Sequence, residues 1–280
     1  MVPRLGIYEK AICFKLGWEE KLELARSSGF SFMELNIDAA DDRLPRLYKG
    51  NEALALRRTI EKTDFPVETL ALSANRGYPL GSEDEAVREK GLDIVRRGIA
   101  FAHEAGIRLI HLAGYDEHRE KRNPRTEQLF YESIETCVRE ASYAGVILSI
   151  EVMDTPFMGS VERVMKVVRM MDSPYLQCYL DIGNITASSL NPVKEISIGG
   201  RHIVGVHVKD TTPGVYRDIP FGEGTVNFEL CLGALASIGY NSFFVAETWC
   251  HDQESFHDNL PKISVFLLEK LNKAYGGARQ

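Results

Sequence analysis

Eight short apolar or β-branched runs recur along the chain, and a longer amphipathic stretch follows each of them. The runs are RLGIY (4–8), FMELNI (32–37), PVETLAL (66–72), RLIHLA (108–113), VILSIEV (146–152), LQCYLDI (176–182), HIVGVHV (202–208) and SFFVAET (242–248). Alternation of this kind through the whole length is the pattern of βα units, not of separate strand and helix blocks. Helix signals agree with it. Trp18, Leu22, Leu24 and Ala25 mark a first helix with Gly29 as its stop, and a third begins at Ser82, where Glu83, Asp84 and Glu85 suit a helix N-terminus. Glycine just past a helix end recurs at Ser28-Gly29-Phe30, Ala105-Gly106-Ile107, Ala144-Gly145-Val146 and Ile238-Gly239-Tyr240, where a left-handed residue is needed before the next strand. The chain is therefore expected to be α/β, a single (β/α)8 barrel domain over residues 1–280, with the terminal AYGGARQ frayed.

Length and composition fit that reading. At 280 residues with 44% hydrophobic content the chain can bury one large core, and no Pro/Gly/Ser linker or low-complexity tract divides it. A formal charge of −7 and a pI near 5.6 argue against nucleic acid, which needs a basic stripe to exchange for counterions. No apolar window reaches membrane-spanning length, and the N-terminal MVPRLGIYEK lacks the layout of a signal peptide, so the expected location is the cytoplasm. Five cysteines (Cys13, Cys137, Cys178, Cys231, Cys250) form no CxxC pair and are expected to be reduced.

Four of the runs carry an ionisable residue near their ends: Glu151, Asp181, His207 and Glu247, spaced 30, 26 and 40 residues apart. That is about one strand-plus-helix unit each, so the four can converge on one mouth of the barrel, where barrel enzymes place their chemistry. Singly, each acid reads as a helix cap or a solvated loop residue, and the imidazole as a core histidine. Four in four consecutive units point to a site for one divalent metal ion (Mn²⁺, Zn²⁺, Co²⁺ or Mg²⁺), with no cysteine nearby to make a closed structural zinc site. Glu34, Ser73, Asn75, His111 and Asn184 gather at the same face as candidates to orient substrate, Glu34 and His111 being equally well explained as hydrogen-bonded core groups. Asp154 and Asp210, three residues beyond two of the ligands, read as helix caps in preference to supports for the metal ligands.

Extended motifs carry a resemblance. LGIYEK, LALSANRGYPLGSED (70–84), HLAGYD (111–116), SIEVMDTP (149–156), YLDIGN (179–184), VHVKDTTPG (206–214), IPFGEG (219–224) and AETW (246–249) resemble the L-ribulose-5-phosphate 3-epimerases, also called L-xylulose-5-phosphate 3-epimerases, of the xylose-isomerase-like TIM-barrel superfamily. The resemblance covers nearly the whole chain. It implies one divalent metal on Glu151, Asp181, His207 and Glu247, inversion at C3 of a ketopentose 5-phosphate, a place in anaerobic breakdown of L-ascorbate or a related pentose, and a homodimer. In one segment the chain departs from the family pattern, with Asn75 in place of a histidine and Gly77 in place of a second basic residue.

The chemistry expected is removal of the C3 proton to give an enediolate, with the metal as Lewis acid and Glu151 and Glu247 as acid and base on opposite faces. Lys10, Ser73, Arg76, Lys209 and Arg217 stand near the mouth as candidates to hold the phosphate of a sugar phosphate. The rival readings are a 3-epimerase of unphosphorylated ketoses or an aldose–ketose isomerase on the same barrel. More distant are a zinc nuclease of the AP-endonuclease kind, disfavoured by the acidic charge, and a non-catalytic sugar-binding module, disfavoured because all four ligands are kept.

Overall fold

Strands covered on both faces must find partners on both edges, and in the computed structural model, which describes residues 2–118, 121–251 and 256–276, eight of them close into a parallel ring. These are β1 (Arg4–Tyr8), β2 (Phe32–Ile37), β3 (Val67–Leu72), β4 (Leu109–Leu112), β5 (Ile147–Glu151), β6 (Leu176–Asp181), β7 (Ile203–Val208) and β10 (Phe243–Ala246). The ring order is β1-β10-β7-β6-β5-β4-β3-β2, so every strand lies beside its neighbour in sequence and β10 closes onto β1. The expected (β/α)8 barrel is what forms, with strand bounds within two residues of the sequence reading.

Around the ring lie α1 (Trp18–Ser27), α2 (Glu52–Thr63), α3 (Glu85–Ala105), α4 (Pro124–Ala144), α5 (Val161–Met171), α6 (Ile182–Ala187), α7 (Pro192–Gly199), α8 (Phe228–Ser237) and α9 (Phe256–Gly276). Helix ends obey the local chemistry. Asp84 caps α3 by accepting from the N–H groups of Ala86 and Val87, so that helix starts three residues after Ser82. Gly29, Gly106, Gly145 and Gly239 all take positive φ, and the next residue donates back to the carbonyl five positions earlier, as Ile107 does to Ala102. Ala274–Gly276 continue α9, because the Tyr275 side chain packs on the Phe244 ring, which corrects the expected fraying there; Gly277–Gln280 lie outside the described residues.

The main apolar core fills the space between ring and helices, and a smaller cluster of Tyr8, Phe32, Ala71, Leu109, Tyr179, Phe243 and Val245 lies inside the ring. Large inward rings need small neighbours. A Cβ on Gly205 would stand 2.4 Å from the Tyr179 ring, closer than any relaxed contact. Gly205→Ala is accordingly expected to cost about 1–3 kcal/mol through overpacking, read as a lower midpoint in urea denaturation; an unchanged midpoint would show that the ring can move aside freely.

One element was not anticipated. β8 (Asp210–Thr212) and β9 (Val215–Ile219) form an antiparallel hairpin in the β7–α8 connection, turned by Pro213 and by Gly214 at φ 79°. No described helix is long and apolar enough to cross a membrane. All five cysteines are free thiols.

Candidate metal centre

In the ring, β10, β7, β6 and β5 are consecutive, so the ends of four adjacent strands present their side chains to one spot. Glu151 is the last residue of β5, Asp181 the last of β6, His207 the fifth of β7, and Glu247 follows β10. One donor atom from each lies within 4.8 Å of the others. Asp181 and His207 are fully buried, while Glu151 and Glu247 at the two ends of the arc keep 7% and 8% exposure to the cleft above. The sequence selected these four, and the fold brings them together.

The electrostatics of the cluster call for a cation. Asp181 is pushed up to about 7 by burial, with the charges of Glu247 and Glu151 adding to the effect and Lys209 opposing it. Burial acts against the imidazolium of His207, yet the Glu34 and Glu247 charges outweigh it and hold this residue well above the ordinary histidine range. Glu151 is held well below the carboxylate range; burial opposes this, and hydrogen bonds from His111 and His207 overcome it. Oxygen donors with one imidazole suit Mn²⁺, Mg²⁺, Co²⁺ or Zn²⁺. Cys178 of β6 packs in the outer core, so no thiolate joins the set. The donor set therefore fits a divalent metal, whose binding would displace a proton from His207 and the ammonium from between the acids.

That ammonium belongs to Lys209. Its Nζ lies 2.7 Å from Asp181 Oδ2 and donates to Glu247 Oε2 at 2.7 Å; the first contact is an ion pair without hydrogen-bond geometry. Lys209, expected among the phosphate contacts, lines the cleft, and its ammonium is engaged by these two carboxylates.

Glu34 fits the second of its two expected readings, a hydrogen-bonded core group. It is fully buried and is absent from the lining of the cleft. Its Oε1 accepts from His207 Nε2 at 2.6 Å, and its Oε2 from Thr69 Oγ1 at 2.7 Å and Tyr179 OH at 2.8 Å. His111 does line the cleft, 3.4 Å from Glu34 and 3.5 Å from Glu151, its ring stacked on Tyr179 at 4.3 Å. Both of its nitrogens lack aligned hydrogen bonds, and the two acids, against the pull of burial, raise it to about 9.

Lys10, Ser73, Arg76, Asn184 and Arg217 all face the cleft. Lys10 is paired with Asp38, and Ser73 Oγ accepts from Asn36 at 3.1 Å. Asn184 is held by Asp181 Oδ1, which accepts its N–H at 2.9 Å, leaving its own Oδ1 without a partner. Arg76 Nε donates to Tyr115 OH at 3.2 Å, and that hydroxyl donates to Asp154 Oδ1 at 3.1 Å, while Arg217 approaches Asp154 Oδ2 at 3.5 Å. Asp154 is thus no helix cap; it ties together two cations from different loops. Nor is Asp210, whose carboxylate accepts from the N–H groups of Thr211, Gly222, Gly224 and Val226 and so ties the PFGEG turn to the hairpin. A Cβ on Gly224 would lie 2.1 Å from that carboxylate, so the glycine serves this turn.

Trp249 is a cleft residue that the sequence reading missed, although AETW placed it two residues beyond Glu247. It walls the cleft, with Arg217 5.4 Å and Lys209 5.8 Å from its ring. Behind it lies a larger, apolar hollow of 560 Å³ under α9, against 50 Å³ for the cleft itself. Size does not locate the chemistry here: among the described residues, clusters of potential metal ligands occur only inside the barrel.

Comparison with known proteins agrees with this geometry. The model of the xylose isomerase-like TIM barrel family matches residues 22–271. The chain is 42% identical over 271 residues to the L-ribulose-5-phosphate 3-epimerase UlaE of Escherichia coli strain K12, covering 96% of this chain and 95% of that one. It is equally similar to the enzyme of the same name from Escherichia fergusonii. Among solved structures, D-allulose 3-epimerase from Methylomonas sp. superposes with a TM-score of 0.80 at 14% identity over 97% of this chain and 98% of that one. An L-ribulose 3-epimerase superposes at 0.78 with 19% identity over 99% of both chains. Fold, strand-end cluster and whole-length identity converge: this chain belongs to the xylose isomerase-like TIM barrel family and, within it, to the L-ribulose-5-phosphate 3-epimerases.

Proposed function

We propose that this protein inverts C3 of a ketopentose 5-phosphate, interconverting L-ribulose 5-phosphate and L-xylulose 5-phosphate, with one divalent metal ion held by Glu151, Asp181, His207 and Glu247. The observation that carries this reading is the placement of two carboxylates at opposite ends of a four-strand arc, both opening on the same cleft. A divalent ion held there supplies Lewis-acid polarisation of a carbonyl oxygen. Inversion needs one group to take the C3 proton from one face of the sugar and another to return a proton to the opposite face. Glu151 and Glu247 are the pair in position, and they exchange roles with the direction of reaction. Asp181 and His207, fully buried, hold without moving protons. At the mouth, Lys10, Arg76 and Arg217 supply cations for the distal phosphate, Asp154 keeping the two arginines extended towards the cleft.

Proton NMR of L-ribulose 5-phosphate in D₂O tests this directly. Deuterium should enter at C3 as L-xylulose 5-phosphate appears, a chelator should stop both, and the unphosphorylated sugar should react far more slowly. Exchange at C1 would mean an aldose–ketose isomerase. Indifference to phosphate would mean an epimerase of free ketoses.

A further inference from the structure

We propose that Glu34 is a positioning residue that fixes the tautomer of His207, so that Nδ1 is the nitrogen offered to the metal. The proposal rests on the metal-centre reading above and adds to it the group that aims one ligand.

Glu34 stands third in β2, three places around the ring from β7, and its side chain reaches His207 across the barrel interior. A carboxylate can only accept, so the 2.6 Å contact places a proton on His207 Nε2. Nδ1 faces Glu151 and Glu247 at 3.0 and 3.5 Å and is hydrogen-bonded to Glu151, so the proton it carries there is the one that a metal held by those two acids would displace, while the Nε2 proton stays on its bond to Glu34. Glu34 cannot turn away, because Thr69 and Tyr179 hold its second oxygen at 2.7 and 2.8 Å. Tyr179 is itself seated by the space above Gly205 and by stacking on His111. An anionic acceptor behind a ligating imidazole orients the ring and raises the basicity of the nitrogen that binds. Glu34, His111 and His207 also bring donor atoms within 4.8 Å of one another, so a second ion there is the competing reading. Against it, both Glu34 oxygens are already engaged by protein donors.

The test uses the full chain labelled with ¹⁵N-histidine, stripped of metal and then titrated with Zn²⁺. Wild type should take up one ion per chain, with the His207 proton on Nε2 in long-range ¹H–¹⁵N spectra. Glu34→Gln, equal in volume, should remain folded by circular dichroism and bind about 10- to 100-fold more weakly. Thr69→Val removes one of the two bonds that hold this carboxylate and leaves Tyr179 in place, so it should weaken binding less than Glu34→Gln does. Uptake of no ion by wild type would sink the metal reading itself. One ion bound with unchanged affinity in Glu34→Gln, or a zinc-loaded wild type in which His207 keeps its proton on Nδ1 and not on Nε2, would overturn the positioning role alone. So would two ions in wild type with one lost in Glu34→Gln. Should Glu34→Gln fail to fold, the wild-type tautomer still decides.

Discussion

Glu247→Gln, assayed at saturating metal, is expected to lower kcat for epimerisation by about 10²- to 10⁴-fold, the range for loss of a positioned acid or base. Glutamine keeps the shape and an oxygen donor at that position, so the cleft should survive while the proton carrier does not. A bare loss of rate would not separate this role from weakened metal binding. The exchange pattern does. With Glu247 disabled, Glu151 remains on its own face and can remove and restore the C3 proton there. One epimer should therefore exchange C3 hydrogen with D₂O without inverting, and the other should not exchange at all. Glu151→Gln should show the mirror pattern. Inversion at near wild-type rate in Glu247→Gln, or exchange of both epimers in either variant, would show that a single base serves both faces. Either result would remove the two-carboxylate mechanism.

The four strand-end residues were legible for a physical reason. A charged group at the end of an apolar strand is conspicuous against its neighbours, and parallel strands joined by helices all end on the same side of the barrel. The helix stops were legible because φ values such as 90° at Gly29 and 86° at Gly106 admit few residues other than glycine. What local sequence could not show was which polar groups meet across the ring. Glu34 looks like Glu151, an acid in an apolar run. It differs in depth, standing third in β2, whereas Glu151 ends β5. That places it outside the lining of the cleft, in contact with His207. Asp154 and Asp210 read as caps because a cap needs only near neighbours, yet partners stand 39 residues away at Tyr115 and 12 and 14 away in the PFGEG turn. Lys209, one residue past β7, lines the cleft, and what the sequence could not show is that Asp181 of β6 and Glu247 after β10 engage its ammonium.

Glu9→Ala is expected to destabilise the fold by about 3–5 kcal/mol, the cost of leaving buried charges unpaired. Glu9 is fully buried just after β1, and three cations converge on it. Arg46 donates to both of its oxygens at 2.8 Å, Lys21 Nζ to one at 2.8 Å, and Arg43 Nε lies 3.7 Å away. The N–H of Asn36 completes the set at 3.0 Å. Without the carboxylate, three positive charges face one another among the Trp18 and Phe14 rings with no anion between them. The thermal midpoint at pH 7 should fall by about 10 °C. The pH dependence identifies the source. Burial raises the Glu9 carboxyl, but Arg46, Lys21 and Arg43 outweigh it and lower the folded value from 4.5 to about 2. A depressed acid stabilises fully above its unfolded value and loses that contribution as pH falls through the folded one. The gap between wild type and variant should thus be constant above about pH 5 and narrow steadily between 4.5 and 2. A gap independent of pH would assign the loss to packing instead. Because Glu9 precedes Lys10, the same cluster fixes the loop that brings Lys10 to the cleft, so the variant should also raise KM for the phosphorylated sugar at temperatures where it remains folded.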